Sequence, residues 1–196
     1  MESIQIFPNM LPQAQAVLRG KRADLKTCAV IAYSHGTFTP EQKAFEIRDA
    51  VQCGADQLEF VLHTVNARSG EWDKVRDEFA ACREAAGEKV LKAIVEVEYL
   101  TDEMLQRVCE IAIEEGLDRL CTSLGLYTKK QDGKDVLVGT TVRDVEKMKA
   151  FCGSRIQIAA MGGIDSPSKC RALLDAGADF ICTEHAAAIL RGWQEE

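Results

Sequence analysis

The sequence predicts an α/β fold, a (β/α) barrel with seven recognisable strands. Three observations lead there. Short apolar or β-branched runs alternate with longer stretches whose apolar residues recur three and four apart, the period of an amphipathic helix. The runs begin about 23 to 38 residues apart, the size of one strand-helix unit, so neighbouring strands are joined by helical crossovers and lie parallel. One junction also repeats: CGAD at 53–56, EGLD at 115–118 and AGAD at 176–179, a glycine that stops a helix followed by an aspartate that precedes a strand. Seven such units without a GxGxxG turn favour a barrel over an open doubly wound sheet.

In order, the strands are Ser3–Phe7, Thr27–Tyr33, Gln57–Leu62, Val90–Val95, Asp118–Ser123, Ile156–Ala160 and Phe180–Thr183. The helices between them are Met10–Arg19, Pro40–Gly54, Glu71–Gly87, Thr101–Gly116, Thr140–Cys152 and Ser166–Gly177. Thr39-Pro40 is a strong start signal, because threonine caps and proline needs no N–H partner in the first turn. Thr101 with Met104 makes half a capping box. The segment YTKKQDGKDVLVG at 127–139 breaks the rhythm and is expected as a polar, lysine-rich loop on the face where strands end.

Charge and composition narrow the function. With 24 Lys+Arg against 31 Asp+Glu the net charge is −7, and no basic cluster interrupts it. Nucleic-acid binding is not expected, since it is built on cations that neutralise phosphates. Hydrophobic residues make up 46% of the chain, enough for a core and far from the disordered regime. The first residues, MESIQIFPNM, lack a basic region and a long apolar run, and no stretch reaches the roughly 18 apolar residues of a bilayer span. A cytoplasmic protein without membrane contact is expected. Eight cysteines without a CxxC pair read as reduced thiols, most of them small buried hydrophobes.

Barrel chemistry collects where strands end. Those ends hold His35 and Gly36, His63, Glu96 and Glu98, Thr122 and Ser123, Gly162 and Gly163, and Glu184 and His185. At these residues the sequence resembles the deoxyribose-phosphate aldolase family. VLKAIVEVEYLTDEML resembles that family's fifth strand and following helix, and GADQLEFVLHTVNARSG its fourth strand with the loop behind it. GTTVRDVEKMKAFCGSRIQIAAMGGIDS and AGADFICTEHAAAIL resemble its last two strands. The HG of SHG matches as well. The resemblance implies a class I aldolase barrel, in which a lysine amine attacks a carbonyl and the resulting iminium accepts the electrons of C–C cleavage. No cofactor is implied.

Carried over residue by residue, the match changes the expected chemistry. The family's Lys-Thr-Ser tripeptide falls on Cys121-Thr122-Ser123. A thiol cannot form an iminium, so the covalent step is removed rather than weakened. The family's second lysine, which lowers the pKa of the first by like-charge repulsion, falls on Ala159. The acid of the fourth strand falls on Glu59, one methylene longer. The phosphate-gripping Gly-Gly turn is retained as Gly162-Gly163, while its basic neighbour falls on Asp165 and the Ser-Ser-Gly turn on Glu184-His185-Ala186. At an effective dielectric of about 20, a carboxylate about 4 Å from a phosphate oxygen costs roughly 4 kcal/mol, which argues against a phosphate in the usual place. The chain opens at what resembles the family's second strand, so seven strands either leave a gap or re-close. A homodimer covering such a gap is the partner expected beside a small-molecule ligand.

The leading expectation is a diverged member of this family without Schiff-base chemistry, with a small polar or carbonyl ligand at the barrel mouth. Glu59, Lys92 and Cys121 are its candidate catalytic residues. Thr122, Ser123, Gly162, Gly163, Glu184, His185, His35 and His63 are its candidate ligand contacts. Two alternatives stand beside it. One is an aldolase or lyase that uses Lys92 as the amine, or a metal held by His35, His63 and His185 with Glu59, Glu96 and Glu184 near them. The other is a non-catalytic interaction module. Lys129, Lys130 and Lys134 read either as a solvated loop or as a cover for an anionic ligand, and Cys121 either as a nucleophile or as a small buried hydrophobe.

Overall fold

The computed structural model describes residues 1–22 and 24–194. Seven strands form one parallel sheet: β1 (Ser3–Ile6), β2 (Lys26–Ile31), β3 (Gln57–Val61), β4 (Val90–Ile94), β5 (Arg119–Cys121), β8 (Gln157–Met161) and β9 (Phe180–Cys182), in that spatial order. All seven predicted strands are present. The sheet curls but does not close. Among the described residues β1 pairs only with β2 and β9 only with β8, so the anticipated gap is real and the seven strands do not re-close across it.

The crossovers are α1 (Leu11–Lys21), α2 (Pro40–Gln52), α4 (Trp72–Ala86), α5 (Asp102–Glu114), α6 (Val142–Cys152) and α7 (Pro167–Asp175). The Thr39 side chain accepts from Gln42 N in a full capping box, and Thr101 accepts from Met104 N. Two short helices were not predicted: α3 (Thr64–Arg68), one turn long, and α8 (Ala186–Gln194), which starts beside the last strand. The polar loop is also corrected. Thr128–Gln131 and Lys134–Leu137 pair antiparallel as β6 and β7 around Asp132-Gly133, and both turn residues have positive φ. An Asp-Gly pair favours this two-residue hairpin turn.

The recurring aspartate has a clear task. Asp56, Asp118 and Asp179 each accept, through Oδ2 at 2.8 Å, the backbone N–H at or near the start of the neighbouring strand, from Thr27, Leu91 and Ile158. Each also donates its own N–H to that residue's carbonyl. The carboxylate thus clamps adjacent strands in register where the ladder begins.

The main core lies between sheet and helices and includes Ile31, Leu58, Phe60, Phe79, Leu91 and Leu120, with Phe60 and Phe79 edge to face at 5.4 Å. Set into it is an ion pair. Lys43 on α2 is fully buried and donates to Glu78 on α4 and to the Val61 carbonyl, both at 2.6 Å. Glu78 also accepts His63 N at 3.1 Å. Burial pushes the Glu78 carboxyl up and the Lys43 charge opposes it. At the foot of the barrel Arg119 forks onto Glu2, reaches Gln157 through Nε, and stacks on Phe180 at 3.7 Å. No helix among the described residues is long and apolar enough to cross a membrane.

Candidate functional site

Strand alternation places one row of side chains inside the curl: Glu59, Lys92 and Cys121 stand on adjoining strands β3, β4 and β5. Glu59 is the register partner of Lys92. It is 1% exposed and accepts a hydrogen bond from the Gln5 amide and another from Cys121 Sγ, the latter at 2.8 Å. Burial pushes Glu59 up, and Lys92, then Cys121, works against that shift. The three candidate catalytic residues therefore stand together on the inner face of the sheet.

Their protonation states limit what they can do. Burial, reinforced by the charge of Glu59, pushes the Cys121 thiol well above the ordinary range. A thiol held protonated is a poor nucleophile. Cys28 and Cys182, also close to Glu59 and Lys92, are raised by burial as well. For Lys92 burial acts downward, but its acidic neighbours, Glu59 among them, oppose it and its pKa is raised. Cys121 sits with Val61, Ile94, Ala159 and Met161 in an apolar inner cluster.

Above this row the rim is held by main chain. The Thr122 hydroxyl accepts from Met161 N at 3.0 Å and lies 2.5 Å from Thr140 Oγ1. Ser123 Oγ accepts from Gly125 N at 2.9 Å. These two candidate ligand contacts are fully buried, their hydroxyls tied to the loops they join. A Cβ on Gly162 would lie 2.8 Å from Gly125 N, and one on Gly139 would lie 2.7 Å from Gly162 O. The Gly162-Gly163 turn is therefore seated backbone against backbone. Lys169, which the sequence reading passed over, donates to Gly163 O at 2.6 Å. It sets a cation against the Gly-Gly turn. The signal was available one helical turn further on, in the SPSK start of α7.

Glu184 and His185 are exposed at the start of α8, where His185 N donates to Thr183 Oγ1 at 2.9 Å. His35 is exposed on the loop after β2. His63 is half-buried and its Nδ1 has no partner within the protein; burial, then Lys43, lowers its pKa. Among the described residues no three His, Cys, Asp or Glu side chains are placed to hold a metal ion. The alternative of a metal held by His35, His63 and His185 is corrected accordingly: the fold does not bring them together as a ligand group.

The rim also holds two acids that sequence reasoning weighed only loosely. Glu96 has φ 53°, is 5% exposed and accepts from Leu124 N at 2.8 Å. Burial, with Glu98 beside it, pushes its carboxyl from 4.5 up to about 7. Glu98 is raised by burial too, and the Tyr99 and Tyr127 rings meet nearby at 5.0 Å. A carboxyl raised on folding stabilises the fold below its unfolded value, and that contribution is lost as pH rises through the folded value. Glu96→Gln keeps an oxygen for Leu124 N–H but cannot ionise. The variant and the parent should have similar stability near pH 4.5, and the variant should gain up to about 3 kcal/mol by pH 8, measured by urea unfolding across that range.

Parallel strands, an inward acid-amine pair and a Gly-Gly turn at the strand ends define a (β/α) barrel protein of the aldolase type. Residues 2–169 match the DeoC/LacD family of aldolases, and the chain belongs to that family. It is 35% identical over 190 residues to a deoxyribose-phosphate aldolase of Deinococcus radiodurans, covering 97% of this chain and 81% of that protein. It is 34% identical to one from Lactococcus lactis subsp. lactis with the same coverage. Among solved structures it superposes on the aldolase QR15 with a TM-score of 0.88 and 28% identity, over 100% of this chain and 82% of that one. The tetrameric deoxyribose phosphate aldolase from Aeropyrum pernix shares the fold, with a TM-score of 0.81 at 24% identity, over 97% of this chain and 76% of that one.

Proposed function

We propose that this member of the aldolase family binds a small polar or carbonyl ligand at the barrel mouth without forming an imine. The observation that carries this reading is the chemistry of the inner row. Cys121 and Ala159 stand where the resemblance puts the family's two amines, and the remaining inner amine, Lys92, is an ammonium beside Glu59 that is 6% exposed. An ammonium has no lone pair for a carbonyl carbon, and at Cys121 burial together with the charge of Glu59 outweighs the pull of Lys92, so the thiol stays protonated. Glu59, Lys92 and Cys121 then act as a fixed polar floor. Gly162, Gly163, Glu184, His185, His35 and His63 form the rim that meets the ligand. The carboxylates of Asp165, two residues past the Gly-Gly turn, and of exposed Glu184 favour a ligand that is unphosphorylated, or whose phosphate lies elsewhere.

The test is reductive trapping. The full chain is incubated with acetaldehyde and sodium borohydride, and its intact mass and Lys92 peptide are read by mass spectrometry. The expected result is an unmodified Lys92, with only the low, even labelling that exposed lysines show after denaturation and re-exposure. A stoichiometric ethyl adduct on Lys92 in the folded protein would overturn the reading and restore imine chemistry at a relocated amine.

A further inference from the structure

Between the Phe7–Asn9 connection, the end of β2 and helix α2 lies a cavity of about 380 Å³ that takes no part in the site described above. Its walls are of two kinds. Phe7, Tyr33 and Phe38 line it with aromatic rings, each at least 40% exposed, and the first two meet edge to face at 5.2 Å. Glu46 and Asp49, one turn apart on α2, line it with carboxylates. Glu46 Oε2 accepts Ala32 N at 2.8 Å, which fixes that side chain against the end of β2. Among the described residues no lysine or arginine forms an ion pair with either acid.

Rings left partly in water beside acids without a counter-cation are complementary to one kind of guest. An alkylated ammonium spreads its charge over methyl groups, gives up hydration readily, and is attracted both to ring faces and to carboxylates. An anionic guest is repelled by the same two acids, and a hard metal ion needs six or more oxygen ligands for a calcium-like site. A neutral hydrocarbon gains nothing from Glu46 or Asp49. The volume lies within the range of small-molecule sites.

We propose that this cavity is a second binding site, taking a small alkylammonium compound whose cation lies by Glu46 and Asp49 and whose methyl groups lie against Phe7, Tyr33 and Phe38. The site works independently of the barrel mouth. Its ligand touches none of Glu59, Lys92 or Cys121, so occupancy of one does not require the other.

The experiment uses the full chain, choline chloride as the probe and its uncharged isostere 3,3-dimethylbutan-1-ol as the comparison, titrated by ligand-observed NMR. Choline is expected to saturate and to bind about tenfold more tightly than the alcohol, the sum of a cation–π term and an exposed ion pair. Asp49→Asn and Phe38→Ala are each expected to weaken choline binding about threefold or more. Glu46→Gln keeps an oxygen for Ala32 N–H and should deepen the loss in Asp49→Asn. Equal binding of choline and the alcohol, failure of choline to saturate, or unaltered choline binding in Asp49→Asn and Phe38→Ala would each overturn the proposal. The comparison of probes on the unaltered protein decides the charge dependence even if a variant folds poorly.

Discussion

Lys43→Met is expected to destabilise the protein by about 3–5 kcal/mol, one of the two largest effects of a single side chain in this fold. The ammonium is fully buried between α2 and α4, 2.6 Å from both Glu78 Oε1 and the Val61 carbonyl. Removing it leaves a buried carboxylate without its counter-charge and a carbonyl without its donor, and both costs fall on the folded state alone. Glu78 also receives His63 N, so the damage should reach the rim as well as the core. For a chain of this size the melting temperature should fall by roughly 10 °C or more. The double variant Lys43→Met with Glu78→Gln tests the cause. It removes both charges and keeps an oxygen for His63 N–H, and it should recover at least half of the loss. If the double variant is as unstable as the single one, packing volume rather than uncompensated charge is responsible.

Gly36→Ala should be nearly as costly, about 3–5 kcal/mol from strain and overpacking together. Gly36 has φ +66°, and a Cβ there would lie 2.3 Å from the Leu62 carbonyl oxygen and 2.6 Å from that of Val61. Both obstacles are main chain, at the end of β3 and the residue just past it, which cannot turn aside as a flexible side chain would. Gly116→Ala provides the comparison, because Gly116 has φ +70° with nothing within 4 Å of a built Cβ. It should lose only the conformational part, about 1 kcal/mol. Chemical unfolding of the two variants separates the collision from the dihedral cost. Equal losses would mean that the loop after β2 shifts away from β3 more freely than its close contact implies.

The fold was legible because its signals are local and repeated. Apolar runs marked every strand of the parallel sheet, and the Gly-x-Asp junction marked a carboxylate that bridges two strands. The floor of the candidate site was legible too, since strand alternation is enough to turn Glu59 and Cys121 inward. Helix α2 shows where such reasoning fails. In KAFEIRD Phe45 is 69% exposed and Lys43 fully buried, an inversion of hydropathy that no local pattern can announce, because the partner that admits the lysine, Glu78, lies 35 residues away. Lys169 was missed for a related reason. Matching residue to residue stopped at Asp165, while the ammonium reaches Gly163 from the first turn of the next helix. The β6–β7 hairpin was hidden by its composition, since Thr, Lys, Gln and Asp read as loop until the Asp-Gly turn is recognised.

The contact of Gly125 and Gly139 with Gly162 bears on how such a barrel drifts. Three connections meet through main-chain atoms, so the outline of the opening is drawn by peptide units rather than by the residues projecting from it. Lineages can exchange those projections one at a time while the frame stays put, and a designer can do the same. Grafting a new set of reactive groups onto β5 and β8 should therefore leave the aperture's shape intact, provided the three glycines are left alone.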